Sequence, residues 1–103
     1  MIKHKIIIGD STKMTEIKTN SVHLVITSPP YPMIKMWDEM FEKVGAKNYS
    51  QMHTYLAKTW KECNRILVNG GILCINIGDS TRNVNNNFKL YSNHSRIIEE
   101  CEN

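Results

Sequence analysis

The sequence has no long apolar run, and this absence excludes two classes of protein. No stretch approaches the roughly 20 continuous apolar residues that a membrane helix requires. The amino-terminal MIKHKIIIGD also contains too short an apolar run for a secretory signal. The sequence therefore predicts an intracellular protein that is located in the cytoplasm and has no membrane partner.

Paired cysteines are also missing. The three cysteines, Cys63, Cys74 and Cys101, are odd in number, and no two of them are separated by two residues. This spacing excludes a zinc knuckle and a Cys-x-x-Cys redox motif, and it favours free thiols that are buried in the core. The histidines show no ligand spacing with one another or with the cysteines, so no metal site is expected.

The composition is that of an ordinary globular chain. The 103 residues are enough for one small domain, and a content of 41% hydrophobic and 22% charged residues predicts a packed core. The formal net charge of +3 fits a nucleic-acid partner but does not distinguish it from other partners. No repeat, low-complexity segment or linker divides the chain, so we expect a single domain over residues 1–103.

Apolar runs alternate with helical patterns along the chain. Strands that are apolar on both faces and separated by helices indicate an α/β fold with a mainly parallel sheet of about three strands and flanking helices. The predicted order is strand 5–8, a short helix capped by Asp10 or Ser11, strand 22–26, helix 34–44 ended by Gly45, helix 50–68 ended by Asn-Gly-Gly at 69–71, strand 72–77, a polar loop at 78–88 and a helix from Asn93.

Polar residues follow each predicted strand. Gly-Asp at 9–10, TSPPY at 27–31 and Gly-Asp at 78–79 all lie at carboxyl ends, where ligands bind in parallel sheets. In the second of these segments the prolines have no N–H and fix the backbone, while a hydroxyl and a carbonyl oxygen are held beside an aromatic ring. Two acceptors next to a stacking surface suit a planar base that carries an NH2 group. Acceptors on both N–H bonds would also favour a pyramidal nitrogen whose lone pair can attack.

Four segments together resemble a known enzyme family. IIIGDSTKM, SVHLVITSPPYP, WKECNRILVNGGILCINIGD and FKLYSNHSRII resemble, in order and spacing, segments of the DNA amino-methyltransferases that use S-adenosylmethionine. The resemblance covers nearly the whole chain and implies the catalytic portion of a Rossmann-like methyltransferase domain. In this family the Ser-Pro-Pro-Tyr form is typical of enzymes that methylate the exocyclic amine of cytosine rather than adenine, as in restriction-modification systems.

The resemblance implies roles for individual residues. Ser28 and the Pro29 carbonyl would hold the cytosine amine, Pro30 would fix the loop, and Tyr31 would stack on the base. The base must be flipped out of double-stranded DNA because in the duplex its amine is paired and stacked. Asp10 would accept a hydrogen bond from the adenine amine of S-adenosylmethionine.

One family feature is missing from this sequence. Family members cradle the methionine part of the cofactor in a glycine-rich turn, and the five glycines here never form Gly-x-Gly. We therefore expect a catalytic amino-terminal portion with an incomplete cofactor pocket, weakly active or inactive alone, which self-associates or binds a complementing chain. The alternative is a non-catalytic methyltransferase module that binds DNA or a partner protein. An enzyme acting on a protein glutamine amide is less favoured, because its loop usually begins with Asn.

Other assignments have simpler alternatives. Residues 28–31 could form an ordinary proline-rich turn, and both Asp10 and Asp79 could cap helices. Lys35 and Arg82 follow the catalytic and third-strand loops and are candidates for DNA phosphate contacts, although solvated basic side chains are commoner. The large aromatic residues at helical spacing, namely Trp37, Phe41 and Trp60, favour core positions.

Overall fold

A computed structural model describes residues 2–103. It contains a two-stranded parallel sheet, a β-hairpin and three α-helices. The elements are β1 (Val22–Thr27), a 3₁₀ turn (Lys35–Trp37), α1 (Asp38–Lys43), α2 (Tyr49–Ile66), β2 (Leu67–Ile75), β3 (Ser80–Val84), β4 (Asn87–Tyr91) and α3 (Asn93–Glu102).

The long helix α2 organises the core. It begins where the Asn48 side chain accepts a 2.8 Å hydrogen bond from the backbone N–H of Gln51, which satisfies one of the donors left open at a helix start. Its apolar stripe packs against α1 and α3, as the periodicity of the sequence predicts. The buried apolar cluster consists of Phe41, Ala46, Met52, Leu56, Trp60, Cys63 and Ile97.

Both predicted parallel strands form, although β2 begins earlier than expected, at Leu67. Leu24 pairs with Ile72 and Ile26 with Cys74 in a parallel register. The prediction that Asn-Gly-Gly ends α2 is wrong, because the backbone already turns extended at Leu67 and the glycines lie inside β2. The pairing register shifts at this point, and Gly70, at φ +81°, supplies the left-handed conformation that the irregularity needs.

The predicted first strand is not a strand. Residues 5–8 have no regular secondary structure and pair with no strand of residues 2–103, and Ile6 and Ile8 are 90% and 95% exposed. A β-branched run makes a strand only when a neighbouring strand completes its hydrogen bonds, so propensity alone misled the prediction. The sheet therefore has two strands instead of three. The α/β class with a parallel sheet and flanking helices is nevertheless confirmed.

Two further local predictions are wrong. The segment after Asp10 forms turns instead of a short helix. The predicted polar loop at 78–88 contains β3 and the start of β4, which pair as an antiparallel hairpin. Asn85 and Asn86 connect these strands, and both have positive φ (53° and 64°), as two-residue hairpin turns require. Asparagine tolerates this region better than most residues, which explains why a polar stretch can form a hairpin.

One face of the parallel sheet has no cover. Val25, Leu73 and Ile75 pack towards the core, whereas the alternate residues Leu24 and Ile72 are 51% and 59% exposed. The bare sheet face, as we call it, consists of Leu24, Ile26, Ile72 and Cys74.

The exposure of two cysteines corrects another prediction. Cys63 is buried as expected, but Cys74 lies on the bare sheet face and Cys101 lies near the exposed end of α3. The reason is the same for both, because each lies on a surface that no described element covers. In the described part of the chain, no helix has the length and hydrophobicity to cross a membrane.

Candidate active site

The loop that follows β1 is held in a fixed conformation. Pro29 and Pro32 are buried, whereas Ser28 is exposed. The Thr27 carbonyl at the start of the loop accepts a 2.9 Å hydrogen bond from the N–H of Asn76, just after β2. The loop ends at Met33, whose φ of 68° lies in the left-handed region, a conformation that costs a non-glycine residue about 1 kcal/mol. Surrounding contacts must therefore stabilise this shape.

A cavity opens beside the loop. It measures about 210 Å³, several times the roughly 30 Å³ that one water molecule occupies in the liquid, so it admits a small planar group. The loop contributes Ser28, Pro29 and Pro30 to its lining, and Ser11 lies at the wall as well. The helical part of the wall is formed by Met40, Tyr55, Leu56, Thr59 and Trp60.

Tyr31 connects this loop to a second predicted site segment. A Cβ atom placed on Gly78 would lie 3.3 Å from Cε2 of Tyr31, so the absence of a side chain at Gly78 leaves room for the phenol ring. The ring is half-buried. The structure thus brings together the segments at 27–31 and 78–79, two of the three polar segments that the sequence placed at one edge.

The third segment, around Asp10, lies at the other side of the cavity. Ser11 shares the cavity with Ser28, and its hydroxyl is 3.3 Å from that of Thr59 on α2. Arg65 anchors the same chain segment to α2 by donating to the backbone carbonyls of Met14 and Ile17 at 2.7 and 2.9 Å. Tertiary contacts therefore position this segment even though it forms no strand.

The Asp10 carboxylate is engaged locally. Its Oδ1 accepts from the backbone N–H and the hydroxyl of Thr12, at 2.9 and 2.8 Å. These two hydrogen bonds, the backbone one first, lower the pKa of Asp10 below its ordinary value. Asp10 thus stabilises a turn instead of capping a helix, and it lines a second cavity, of about 200 Å³, together with Gly9, Ser11 and Lys13. Its role in cofactor binding stays a prediction.

Asp79 caps a helix from outside it. Its Oδ1 accepts from the backbone N–H of His94 at 3.1 Å and from the His94 ring Nδ1 at 2.7 Å. The side-chain bond from His94 is the main cause that lowers the pKa of Asp79. Of the alternatives for Asp79, the structure therefore shows the helix cap: Asp79 caps the amino end of α3.

The two basic residues predicted to contact DNA differ in their surroundings. Arg82 on β3 donates to both carboxylate oxygens of Asp38, at 2.9 and 2.8 Å, and this bond lowers the pKa of Asp38. The pair fastens the hairpin to α1, so the guanidinium has a structural partner already. Lys35 is exposed on the 3₁₀ turn. Phosphate contacts by either residue remain predictions.

The sequence did not predict a buried polar cluster that lies behind the loop. The cluster is formed by Asn93, Ser80 and His53, which are at most 1% exposed. Ser80 and Asn93 donate to the Pro32 carbonyl, and His53 is hydrogen-bonded to Oδ1 of Asn93. The only signal in the sequence was a histidine within the apolar stripe of α2, and the polar SNHS run resembles an ordinary helix start.

Comparison with known families then decides the assignment. The model of a family described as DNA methylase matches residues 22–103, which include the loop, the helical part of the cavity wall and the polar cluster. The chain belongs to this DNA methylase family. Type II methyltransferases are among its relatives: M.MjaI of Methanocaldococcus jannaschii is 49% identical and M.MthZI of Methanothermobacter thermautotrophicus is 41% identical, over 96% and 93% of this chain.

Solved structures show the same fold. TTHA0409 of Thermus thermophilus, assigned as a DNA modification methylase, matches 92% of this chain with 30% identity and a TM-score of 0.67. Its complex with S-adenosyl-L-methionine matches with 28% identity and a TM-score of 0.72. The chain spans 40% and 31% of the two type II methyltransferases and 37% of TTHA0409. The matched region includes the Ser-Pro-Pro-Tyr loop.

Proposed function

We propose that the chain supplies the target-amine side of an S-adenosylmethionine-dependent DNA methyltransferase that methylates N4 of cytosine. The observation that carries the proposal is the Ser28–Tyr31 loop at the end of β1, bordered by a cavity and fixed from behind by a buried cluster. The Ser28 hydroxyl and the Pro29 carbonyl would accept from the two N–H bonds of the amine. The nitrogen lone pair would then point towards the methyl donor.

Tyr31 would bind the ring of the same base. Its phenol packs against Gly78, so the ring orientation is limited before any substrate enters. Stacking on an aromatic ring contributes about 1–3 kcal/mol per base. That contribution would help to offset the unstacking cost of a base flipped out of double-stranded DNA.

The choice of cytosine over adenine rests on Ser28. Its hydroxyl occupies the first position of the tetrapeptide, where the resemblance associates serine with cytosine. The relationship to type II methyltransferases supports a role in a restriction-modification system. Selection of one DNA sequence requires side chains that contact the edges of the bases. DNA as the substrate agrees with the cytoplasmic location expected from the sequence.

The chain fits only one part of S-adenosylmethionine. Asp10 has a lowered pKa, so its carboxylate is ionised at neutral pH and suits an amine donor such as that of adenine. No Gly-x-Gly turn exists in the 103 residues to hold the methionine part. We therefore propose that the chain is weakly active or inactive unless another polypeptide completes the cofactor pocket.

The function can be tested by identifying the methylated base. Purified chain is incubated with labelled S-adenosylmethionine and plasmid DNA, and the nucleosides are separated by mass spectrometry. We expect any label in N4-methylcytosine, at a low rate, and a loss of at least about 100-fold in Ser28→Ala, a decrease typical for loss of one transition-state hydrogen bond. Ser50→Ala, an exposed position at the start of α2, is the matched control. Label in N6-methyladenine would contradict the cytosine assignment.

A non-catalytic module is the second candidate function. The missing Gly-x-Gly turn favours it, and such a module would bind DNA or a protein without binding the cofactor. Calorimetric titration with S-adenosylmethionine separates the two candidates. Binding that weakens in Asp10→Asn would support the methyltransferase portion, whereas the absence of binding together with normal DNA binding would support the module.

We further propose that the bare sheet face is covered by a second polypeptide, either a copy of this chain or a complementing chain. Ile26 is 74% exposed there, and burial of such a side chain contributes about 1.5–3 kcal/mol. In sedimentation experiments we expect concentration-dependent dimers that are lost in Ile26→Asp. Leu90→Asp, at a 58% exposed position on β4, should still associate. A wild-type chain that is monomeric at every concentration would contradict self-association.

A further inference from the structure

The loop that would hold the target base is fixed through a single buried amide. Asn93, the first residue of α3, is fully buried, and its Nδ2 lies 3.1 Å from the Pro32 carbonyl and 3.2 Å from the Gly78 carbonyl. One carbonyl belongs to the end of the Ser-Pro-Pro-Tyr-Pro segment and the other to the segment that contacts Tyr31. The same side chain therefore connects the two segments that form the candidate site.

The hydroxyl of Ser80 strengthens this connection. It donates to the Pro32 carbonyl at 2.9 Å and accepts from Asn93 Nδ2 at 2.9 Å. The Pro32 carbonyl thus accepts from the Ser80 hydroxyl and from Asn93 Nδ2, whose two hydrogens are shared among three acceptors, immediately before Met33, the residue with the left-handed backbone. These bonds fix the peptide plane between Pro32 and Met33 and oppose its return to an ordinary conformation.

The orientation of the amide sets the tautomer of His53. Backbone carbonyls only accept, so the Asn93 NH2 group must face Pro32 and Gly78, and its Oδ1 must face His53. The 2.9 Å contact between Oδ1 and His53 Nε2 then requires the hydrogen on Nε2. The backbone carbonyls therefore determine which way the amide points, and His53 on α2 adds one hydrogen bond that stabilises this orientation.

We propose that Asn93 is a positioning residue that holds the Ser28–Tyr31 loop and Gly78 in the geometry needed for the target base. The proposal rests on the proposed function, since positioning for catalysis presupposes that the loop binds the base. Asn93 itself has no role in the chemistry, because its amide is used by backbone carbonyls behind the loop.

Hydrogen–deuterium exchange of the full 103-residue chain tests the positioning directly. Asn93→Asp preserves size and the Oδ1 acceptor but removes both donors. We expect exchange of the Tyr31, Met33 and Ile34 amides to accelerate by about 10- to 100-fold, with protection in α2 unchanged. Asn64→Asp, an exposed position on α2, is the control and should leave the loop unchanged. Loop exchange that is unaltered in Asn93→Asp would overturn the proposal.

A second variant keeps the test decisive if the first variant unfolds completely. Ser80→Ala removes one donor to the Pro32 carbonyl, and we expect a smaller acceleration, about 3- to 10-fold, confined to the same amides. If Asn93→Asp unfolds the chain, Ser80→Ala decides: a confined acceleration supports positioning, and no acceleration overturns it.

The kinetics of methyl transfer distinguish positioning from a purely structural role, which would not lower kcat selectively. With a complementing chain present if one is required, Asn93→Asp should lower kcat by at least about 10-fold while KM for DNA changes by less than about 3-fold. Equal changes in both would overturn the positioning role. Failure of the wild-type chain to methylate DNA even together with a polypeptide that completes the cofactor pocket would overturn the proposed function, whereas the exchange pattern would still decide whether Asn93 holds the loop.

Discussion

Phe41→Ala is expected to remove a large part of the domain's stability. Phe41 is fully buried in α1 and packs in the central cluster with Leu56 and Trp60 of α2. Truncation of a buried phenylalanine costs about 3–5 kcal/mol, against a total of about 5–15 kcal/mol for a typical domain. A six-residue helix such as α1 has little stability of its own, so it depends on this packing.

Thermal and urea unfolding measure the Phe41 effect. We expect the melting temperature to fall by more than about 10 °C in Phe41→Ala. Phe88→Ala is a matched control, because it makes the same change at a side chain that is 74% exposed on β4, where the cost should remain within about 0.5 kcal/mol. Equal decreases of the melting temperature in the two variants would mean that packing of Phe41 between α1 and α2 does not stabilise the domain.

Acid sensitivity near neutral pH is the second large effect, and it arises from His53. Burial lowers the pKa of this imidazole, and the hydrogen bond to Asn93 opposes that shift only in part. The folded state therefore keeps His53 neutral at pH values where the unfolded chain, with an ordinary pKa near 6.5, binds a proton. Stability is fully present above about pH 6.5 and decreases as the pH falls towards the lowered pKa of the folded state.

Urea unfolding between about pH 7.5 and pH 5 measures this dependence. One extra proton bound by the unfolded chain lowers the free energy of unfolding by at most about 1.4 kcal/mol per pH unit. We expect that slope to disappear in His53→Gln and to persist in His23→Gln, where the side chain is exposed. The carboxylates of Asp38 and Asp79 titrate below their ordinary pKa of 3.8, so they do not produce a slope in this range. A wild-type chain whose stability is flat across this range would contradict the assignment.

The two buried groups also connect stability with the candidate site. Phe41 supports α1, which carries Asp38 and therefore the ion pair to Arg82 of the hairpin. His53 donates a hydrogen bond to Asn93, whose amide in turn donates to the Pro32 carbonyl behind the loop. Changes at residues distant from the Ser28 hydroxyl can thus alter the loop, because they act on the ion pair and the hydrogen bonds that hold its surroundings.

Local sequence patterns correctly predicted the elements that local physics controls. The apolar stripe of α2 and the β-branched run of β1 both appear within about one residue of their predicted starts, because periodic burial against one core is enough to specify each of them. The Ser-Pro-Pro-Tyr loop was also predicted at the end of a strand, where the structure has it, since two prolines end a ladder whatever surrounds them. The roles of Ser28, Asp10 and Lys35 in binding stay predictions.

Long-range pairing decided what the sequence alone could not. Residues 5–8 have the composition of a strand but no neighbouring strand in the described chain, whereas the polar residues of β3 become a strand because β4 pairs with them. Asn93, Ser80 and Pro32 are up to 61 residues apart, and the tertiary fold brings α3, β3 and the loop after β1 together around them. The sequence by itself determined where the three α-helices and the two parallel strands lie and which residue types form the loop, although it also predicted a helix after Asp10 and a strand at 5–8 that do not form. The tertiary structure decided which segments pair and which buried amide holds that loop, because hydrogen-bond partners distant in sequence leave no periodic pattern.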